Sequence, residues 1–161
     1  MTIQVGDRLP AVSLKQLTPE GIKDVPITDL TAGKKVVLFA VPGAFTPTCS
    51  EKHLPGFIDL ADEITAKGVD AILCVAVNDP FVVSAWEKAR NVGGKVKMLS
   101  DGNAEFTRAI GLDFDGRAVG LGTRSRRYAM VVEDGVVKAL MVEDAPAQAE
   151  KSSASAILAA L

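Results

Sequence analysis

From Lys35 to Val41 the chain reads Lys-Val-Val-Leu-Phe-Ala-Val, apolar and largely β-branched at consecutive positions rather than alternate ones. A strand with apolar side chains on both faces must be covered on both, so this segment predicts a central strand between two layers. Val69 to Val77 has the same character and predicts a second buried strand, and Lys95 to Leu99 a third. Between the first two strands the period changes. Leu54, Phe57, Ile58, Ala61 and Ile64 recur at helical spacing among Glu51, Lys52, Asp59, Asp62 and Glu63, so residues 48–67 predict an amphipathic helix. Pro55 and Gly56 fall inside it and predict a kink at that point rather than two helices.

Asp79-Pro80 predicts a helix running to about Val92, with proline in its first turn, and Asn103 to Ile110 a shorter one. Arg127–Glu133 and Val136–Val142 flank Asp134-Gly135, a strong hairpin signal. Residues 1–35 carry turn formers at Gly6-Asp7, Thr18-Pro19-Glu20-Gly21 and Thr31-Ala32-Gly33 around short alternating pieces, which predicts a hairpin or two edge strands. After a polar connection over residues 144–151, Ser152 to Leu161 predicts a terminal helix with a serine cap. Strand and helix alternate, then a hairpin and a helix follow. Right-handed crossovers place the first strands parallel and the hairpin adds antiparallel ones, giving an α/β fold with a mixed central sheet flanked by helices, compatible with a thioredoxin-like layout.

Length and charge narrow the function. The 161 residues suffice for one domain with a core of its own, spanning 1–161. The net charge of −2 offers no basic footprint for nucleic acid, and eight aromatic residues are too few for a base-stacking platform. No apolar run approaches the roughly 20 residues needed to cross a bilayer, which argues against a membrane partner. The first residues lack the basic and apolar segments of an export signal, so a cytoplasmic location is expected. Two cysteines, Cys49 and Cys74, do not make a disulfide framework, and in a reducing compartment each is either buried filler or a reactive thiol.

Cys49 has the setting of a reactive thiol. It follows the Pro42-Gly43-Ala44-Phe45-Thr46-Pro47-Thr48 loop after the first central strand and falls in the first turn of the next helix. Sites in open α/β sheets form beyond the carboxyl ends of the strands, and the positive end of a helix favours a thiolate over a thiol. Thr46 brings a hydroxyl three residues before the sulfur, where it can donate to the thiolate or to an oxygen beside it. On spacing alone, a structural cysteine and a reactive one both remain open.

Pro42, Thr46 and Cys49 together spell Pro-x-x-x-Thr-x-x-Cys, which resembles the active-site pattern of the peroxiredoxins. The longer run Pro-Gly-Ala-Phe-Thr-Pro-Thr-Cys-Ser, with Lys52-His53-Leu54-Pro55-Gly56-Phe57 after it, is similar to their type II branch. So are Val75-Ala76-Val77-Asn78-Asp79-Pro80-Phe81 and Arg127-Tyr128-Ala129-Met130-Val131-Val132. The resemblance implies a thioredoxin-fold peroxidase with no metal and no organic cofactor, acting on hydrogen peroxide and organic hydroperoxides. It implies that Cys49 is the peroxidatic cysteine, Thr46 a partner of the peroxide, Pro42 the residue that closes the pocket, and Arg127 the cation that stabilises the thiolate and the breaking O–O bond. Some relatives carry a second, resolving cysteine near the C-terminus; residues 148–153 here contain none. The cysteine spacing, 74 − 49 = 25, is similar to plant relatives, which implies an external thiol as reductant: glutathione with glutaredoxin, or thioredoxin. The active-site loop lies at a dimer contact in relatives, which implies a homodimer.

The remaining chemistry-bearing residues have plainer readings. Cys74, in Ala71-Ile72-Leu73-Cys74-Val75, reads as a buried, inert cysteine. Arg124 and Arg126 read as a solvated patch, although Arg124 is also a candidate to assist the site or guide a reductant, whereas Arg127 at the head of a core strand turns inward. His53, four residues after Cys49, could pair with it, but one histidine and two cysteines do not make structural zinc, and a structural or subunit-contact role is the expectation. A disulfide oxidoreductase on the same fold would need Cys-x-x-Cys, which is absent. A peroxide sensor or redox-regulated chaperone using the same thiol is the alternative function.

Overall fold

The computed structural model describes residues 2–161. In chain order its elements are β1 (Ser13–Thr18), β2 (Gly21–Pro26), α1 (Ile27–Thr31), β3 (Lys35–Val41), a π-helical turn (Cys49–His53), α2 (Leu54–Asp59), α3 (Ala61–Ala66), β4 (Ala71–Ala76), α4 (Pro80–Ala89), β5 (Lys97–Ser100), α5 (Glu105–Ala109), β6 (Asp113–Asp115), β7 (Thr123–Ser125), β8 (Tyr128–Glu133), β9 (Val136–Val142) and α6 (Ala154–Ala160). Seven strands form one sheet in the order β2-β1-β5-β4-β3-β8-β9, and β6 and β7 form a separate ribbon.

β3, β4 and β5 run parallel, as the crossovers require, while β8 and the β1–β2 hairpin pair antiparallel on either side. Continuous apolar sequence makes β3 an interior strand, between β4 and β8: Val37, Phe39 and Val41 enter one core and Val36, Leu38 and Ala40 the other. The first core lies under the helical layer of Leu54, Phe57, Ile64, Trp86 and Ile157; the second holds Leu14, Ile27, Phe106 and Leu112. Asp134 and Gly135 both take positive φ, +48° and +80°, as the tight turn between β8 and β9 requires. The serine cap expected for the terminal helix is Ser153, which accepts from the Ala156 N–H, and Asp79 caps α4 by accepting from the Val82 N–H.

The helix after β3 departs from expectation. Instead of one helix kinked at Pro55-Gly56, the chain begins with a π-helical turn in which the Leu54 N–H bonds to the Cys49 carbonyl five residues back. Pro55 then sits in the first turn of α2, where its missing N–H costs little. The break falls later, at Leu60, where φ −99° and ψ 8° separate α2 from α3. The helices expected from Asp79 to about Val92 and from Asn103 to Ile110 are also shorter, running Pro80–Ala89 and Glu105–Ala109.

Candidate active site

The loop after β3 is held from both sides. The Ala44 N–H donates to Asn78 Oδ1 at 2.9 Å, tying the loop to the carboxyl end of β4, and Arg124 Nη1 donates to the Pro42 carbonyl at 3.2 Å from β7. Arg124, expected as part of a solvated patch, thus lies half-buried across the loop, where its Nε also donates to the Leu121 carbonyl at 2.9 Å. A Cβ on Gly43 would come within 2.6 Å of Arg124 Nη1, so the absence of a side chain there lets the guanidinium pack close. Phe45 adopts φ +65°, an unfavourable conformation for an aromatic residue, and stands 52% exposed at the loop tip.

Thr46 ends the loop. Its carbonyl accepts from the Ser50 N–H at 3.0 Å, so it starts the helical segment. Its hydroxyl donates to the Gly43 carbonyl at 2.6 Å and not to the Cys49 sulfur, which corrects the sequence expectation. With its hydrogen committed, the hydroxyl oxygen presents lone pairs only. Pro42 is buried behind the loop.

Cys49 and Arg127, 78 residues apart, meet in the interior: Arg127 Nη2 donates to Cys49 Sγ at 3.0 Å. Arg127 is 2% exposed. Three of its other four N–H groups are engaged, with Nε and Nη2 donating to the Pro146 carbonyl at 3.1 and 3.0 Å and Nη1 to His53 Nδ1 at 3.0 Å. Among the described residues no carboxylate lies within 4.0 Å of this guanidinium. A buried cation without a carboxylate partner is costly, and the one contact able to carry negative charge is the sulfur.

His53 is not paired with Cys49. Its Nε2 lies 2.8 Å from the Ser152 carbonyl, which only accepts, so Nε2 carries the hydrogen and Nδ1 accepts from Arg127. Burial lowers the histidine to about 3, with the Arg127 charge adding to the effect. Beyond it, the Ser152 N–H and hydroxyl both donate to Glu143 Oε2 at 2.6 Å. Burial pushes the Glu143 carboxyl up, but the two bonds from Ser152 and the Lys151 N–H outweigh it and hold the group below the usual range. A hydrogen-bonded chain therefore runs Glu143, Ser152, His53, Arg127, Cys49. Glu143 takes part through its carboxylate, Ser152 through its N–H, hydroxyl and carbonyl, and Pro146 through its carbonyl, none of which carries a motif.

Cys74 is buried on β4 opposite Phe39 and shares the first core with Cys49; both thiols are free. Burial raises the Cys74 thiol well above its ordinary value and the nearby Cys49 adds to that, which keeps it protonated and weakly nucleophilic.

Three comparisons bear on this geometry. Residues 4–158 match the Redoxin family. Peroxiredoxin-2E-2, chloroplastic, of Oryza sativa subsp. japonica is 55% identical over 165 residues, covering 99% of this chain and 73% of that protein. Peroxiredoxin-2B of Arabidopsis thaliana is 46% identical, covering 99% of this chain and 98% of the relative. The crystal structure of reduced Prx3 from Vibrio vulnificus, in complex with hydrogen peroxide, superposes with a TM-score of 0.94 at 56% identity, over 99% of each chain. A buried thiol at the start of a helical turn, facing a buried arginine on a thioredoxin-like sheet, with likeness over the whole chain, places this protein among the type II peroxiredoxins, the thiol-dependent peroxidases.

Proposed function

We propose that Cys49 is the peroxidatic thiol, and that Arg127, Thr46 and Pro42 form the rest of its site. The observation that carries this reading is the 3.0 Å contact from Arg127 Nη2 to the sulfur, on a guanidinium with no carboxylate partner among the described residues. The Cys49 thiolate attacks the terminal hydroxyl oxygen of a hydroperoxide. An S–O bond forms, the O–O bond breaks, and the electron pair leaves on the distal oxygen, which takes a proton from water and departs as water or an alcohol. The sulfur is oxidised to sulfenic acid and the peroxide reduced by two electrons. Arg127 faces the charge that moves from sulfur to the leaving oxygen. Thr46, its own hydrogen bound to Gly43, accepts from the peroxide O–H and turns its oxygen toward the sulfur. Pro42 and the loop exclude bulk water.

The sulfenic acid is then resolved by an external thiol: glutathione displaces water to form a mixed disulfide, and a second thiol, by way of glutaredoxin, restores Cys49. Thioredoxin is the other reductant this surface can serve. The buried, protonated Cys74 favours this route over an internal disulfide. The exposed Phe45 beside the site fits a contact between two copies of the chain, and the free thiols suit the cytosol. A pair of variants tests the assignment. Cys49→Ser should lose peroxide turnover while keeping the parent's circular dichroism; parent-rate turnover in the folded variant would refute it. Cys74→Ser should keep most turnover with glutathione and glutaredoxin, and peroxide-treated parent should yield a glutathione adduct on Cys49. A dominant Cys49–Cys74 linkage in peptide mass spectra, with turnover lost in Cys74→Ser, would overturn the one-cysteine cycle.

A further inference from the structure

We infer that His53 is a positioning residue for the peroxidase reaction: as the neutral Nε2–H tautomer it accepts from Arg127 Nη1 and so aims Arg127 Nη2 at the Cys49 sulfur. The inference rests on the proposed role of Arg127. A guanidinium is a planar fork, so fixing one arm and the Nε edge fixes where the other arm points. The Pro146 carbonyl holds Nε and Nη2 on one side, and His53 Nδ1 holds Nη1 on the other. Remove the second anchor and Arg127 is free to pivot about Pro146, away from the sulfur.

His53 is itself built to serve as an acceptor. The Ser152 carbonyl takes its Nε2 hydrogen at 2.8 Å, which leaves Nδ1 bare toward Arg127. Ser152 is fixed in turn by two 2.6 Å bonds to Glu143 Oε2. The imidazole is wedged against Phe39 and Phe57, whose rings lie 4.9 and 5.6 Å from it at angles of 58° and 57°. The surroundings also forbid the imidazolium. The charged groups acting on His53 are Arg127, just before β8, and Glu143 beyond Ser152; the Cys49 sulfur begins its own turn, and β3 and α2 present the apolar Phe39 and Phe57. A proton on Nδ1 would meet an Arg127 N–H head-on and bury two like charges together. The residue thus supplies a lone pair in the interior without adding a charge, which an aspartate there could not do without neutralising Arg127 and competing with the thiolate.

His53 is the only histidine, so the native protein offers a direct readout. Nitrogen NMR should show one imidazole with Nε2 protonated and Nδ1 bare, unchanged from pH 8 to pH 5. A protonated Nδ1, or titration near the ordinary histidine value, would overturn the inference without any mutation. Two variants then separate the two ring nitrogens. His53→Asn keeps an acceptor near the Nδ1 position and loses the bond to Ser152, whereas His53→Gln keeps a donor near Nε2 and loses the acceptor for Arg127. Stopped-flow oxidation of Cys49 by hydrogen peroxide should slow by about tenfold or more in His53→Gln and by less than about threefold in His53→Asn. Equal rates, or the reverse order, would mean that His53 only supports the fold. In an Arg127→Ala background, His53→Gln should cost nothing further. If Arg127→Ala is slow but His53→Gln still adds its full loss, the inference fails alone. If Arg127→Ala reacts at the parent rate, the proposed role of Arg127 fails and takes this one with it.

Discussion

Lowering the pH from 7 to 5 should destabilise this protein through His53 alone by about 2 kcal/mol. In the unfolded chain the imidazole takes a proton near its ordinary value of 6.5; in the folded protein burial and Arg127 hold it to about 3. Between those values the unfolded state binds one more proton than the folded state, so stability falls as the pH falls, by up to ~1.4 kcal/mol per pH unit. The loss is small at pH 7, where little of either state is protonated, and approaches the full slope below about pH 6. Carboxyls contribute on both sides lower down. Asp101 and Glu87, raised by burial, favour the folded state as pH falls, whereas Glu143 is lowered and disfavours it. Their titration clusters nearer the usual carboxylate range, so comparison with a variant isolates the histidine. Urea unfolding of the parent and of His53→Asn at pH 7 and at pH 5 provides that comparison. The parent should lose about 2 kcal/mol more than the variant between the two conditions. Parallel losses would show that the folded state accommodates an imidazolium beside Arg127, and the assignment of Nδ1 as a bare acceptor would be wrong.

Thr46→Val, which keeps the shape and removes the hydroxyl, should slow Cys49 oxidation by roughly tenfold or more, while Thr46→Ser should stay within a few fold of the parent; rapid-mixing kinetics with hydrogen peroxide decides it, and a parent-like valine variant would remove Thr46 from the site. Gly43→Ala places a Cβ 2.6 Å from Arg124 Nη1 and 3.0 Å from Thr46 Cγ2, so the Arg124 guanidinium must move and its bond to the Pro42 carbonyl is disturbed. The peroxide rate constant should drop several-fold with little change in circular dichroism, and an unchanged rate would show that the loop tolerates the displacement.

What could be read along the chain was whatever nearby residues decide. The seven-residue run of β3 admits one reading because apolar side chains at consecutive positions exclude an edge strand, and Asp134-Gly135 marks its hairpin because few other pairs accept two positive φ values. α1 and the β6–β7 ribbon escaped notice because Ile27–Thr31 is too short to show a period, and Asp-Phe-Asp against Thr-Arg-Ser is too polar. Cys49, Thr46 and Pro42 stood out as a compact motif, and Arg127 through its place at the head of a core strand. The contributions of His53, Pro146, Ser152 and Glu143 were hidden for a different reason. His53 meets Ser152 across 99 positions and Arg127 across 74, and two of the contacts are made by backbone carbonyls, which any residue supplies. The Thr46 hydroxyl was misassigned because a carbonyl three residues earlier competes for its hydrogen, and that is settled by how the loop turns.

The π-helical turn bears on the phase of the whole segment. In an uninterrupted α-helix, residues five apart stand about 140° around the axis from one another, so a sulfur at position 49 would face away from Leu54 and the apolar stripe that follows. Closing the ring at the fifth residue turns Leu54 back toward the side of Cys49, and both are fully buried. The turn acts as a gear with one extra tooth: it lets the reactive sulfur and the stripe of Leu54, Phe57, Ala61 and Ile64 share one side, though their spacing belongs to two different wheels. The extra residue here is therefore the joint between the segment that places the sulfur and the segment that packs the core.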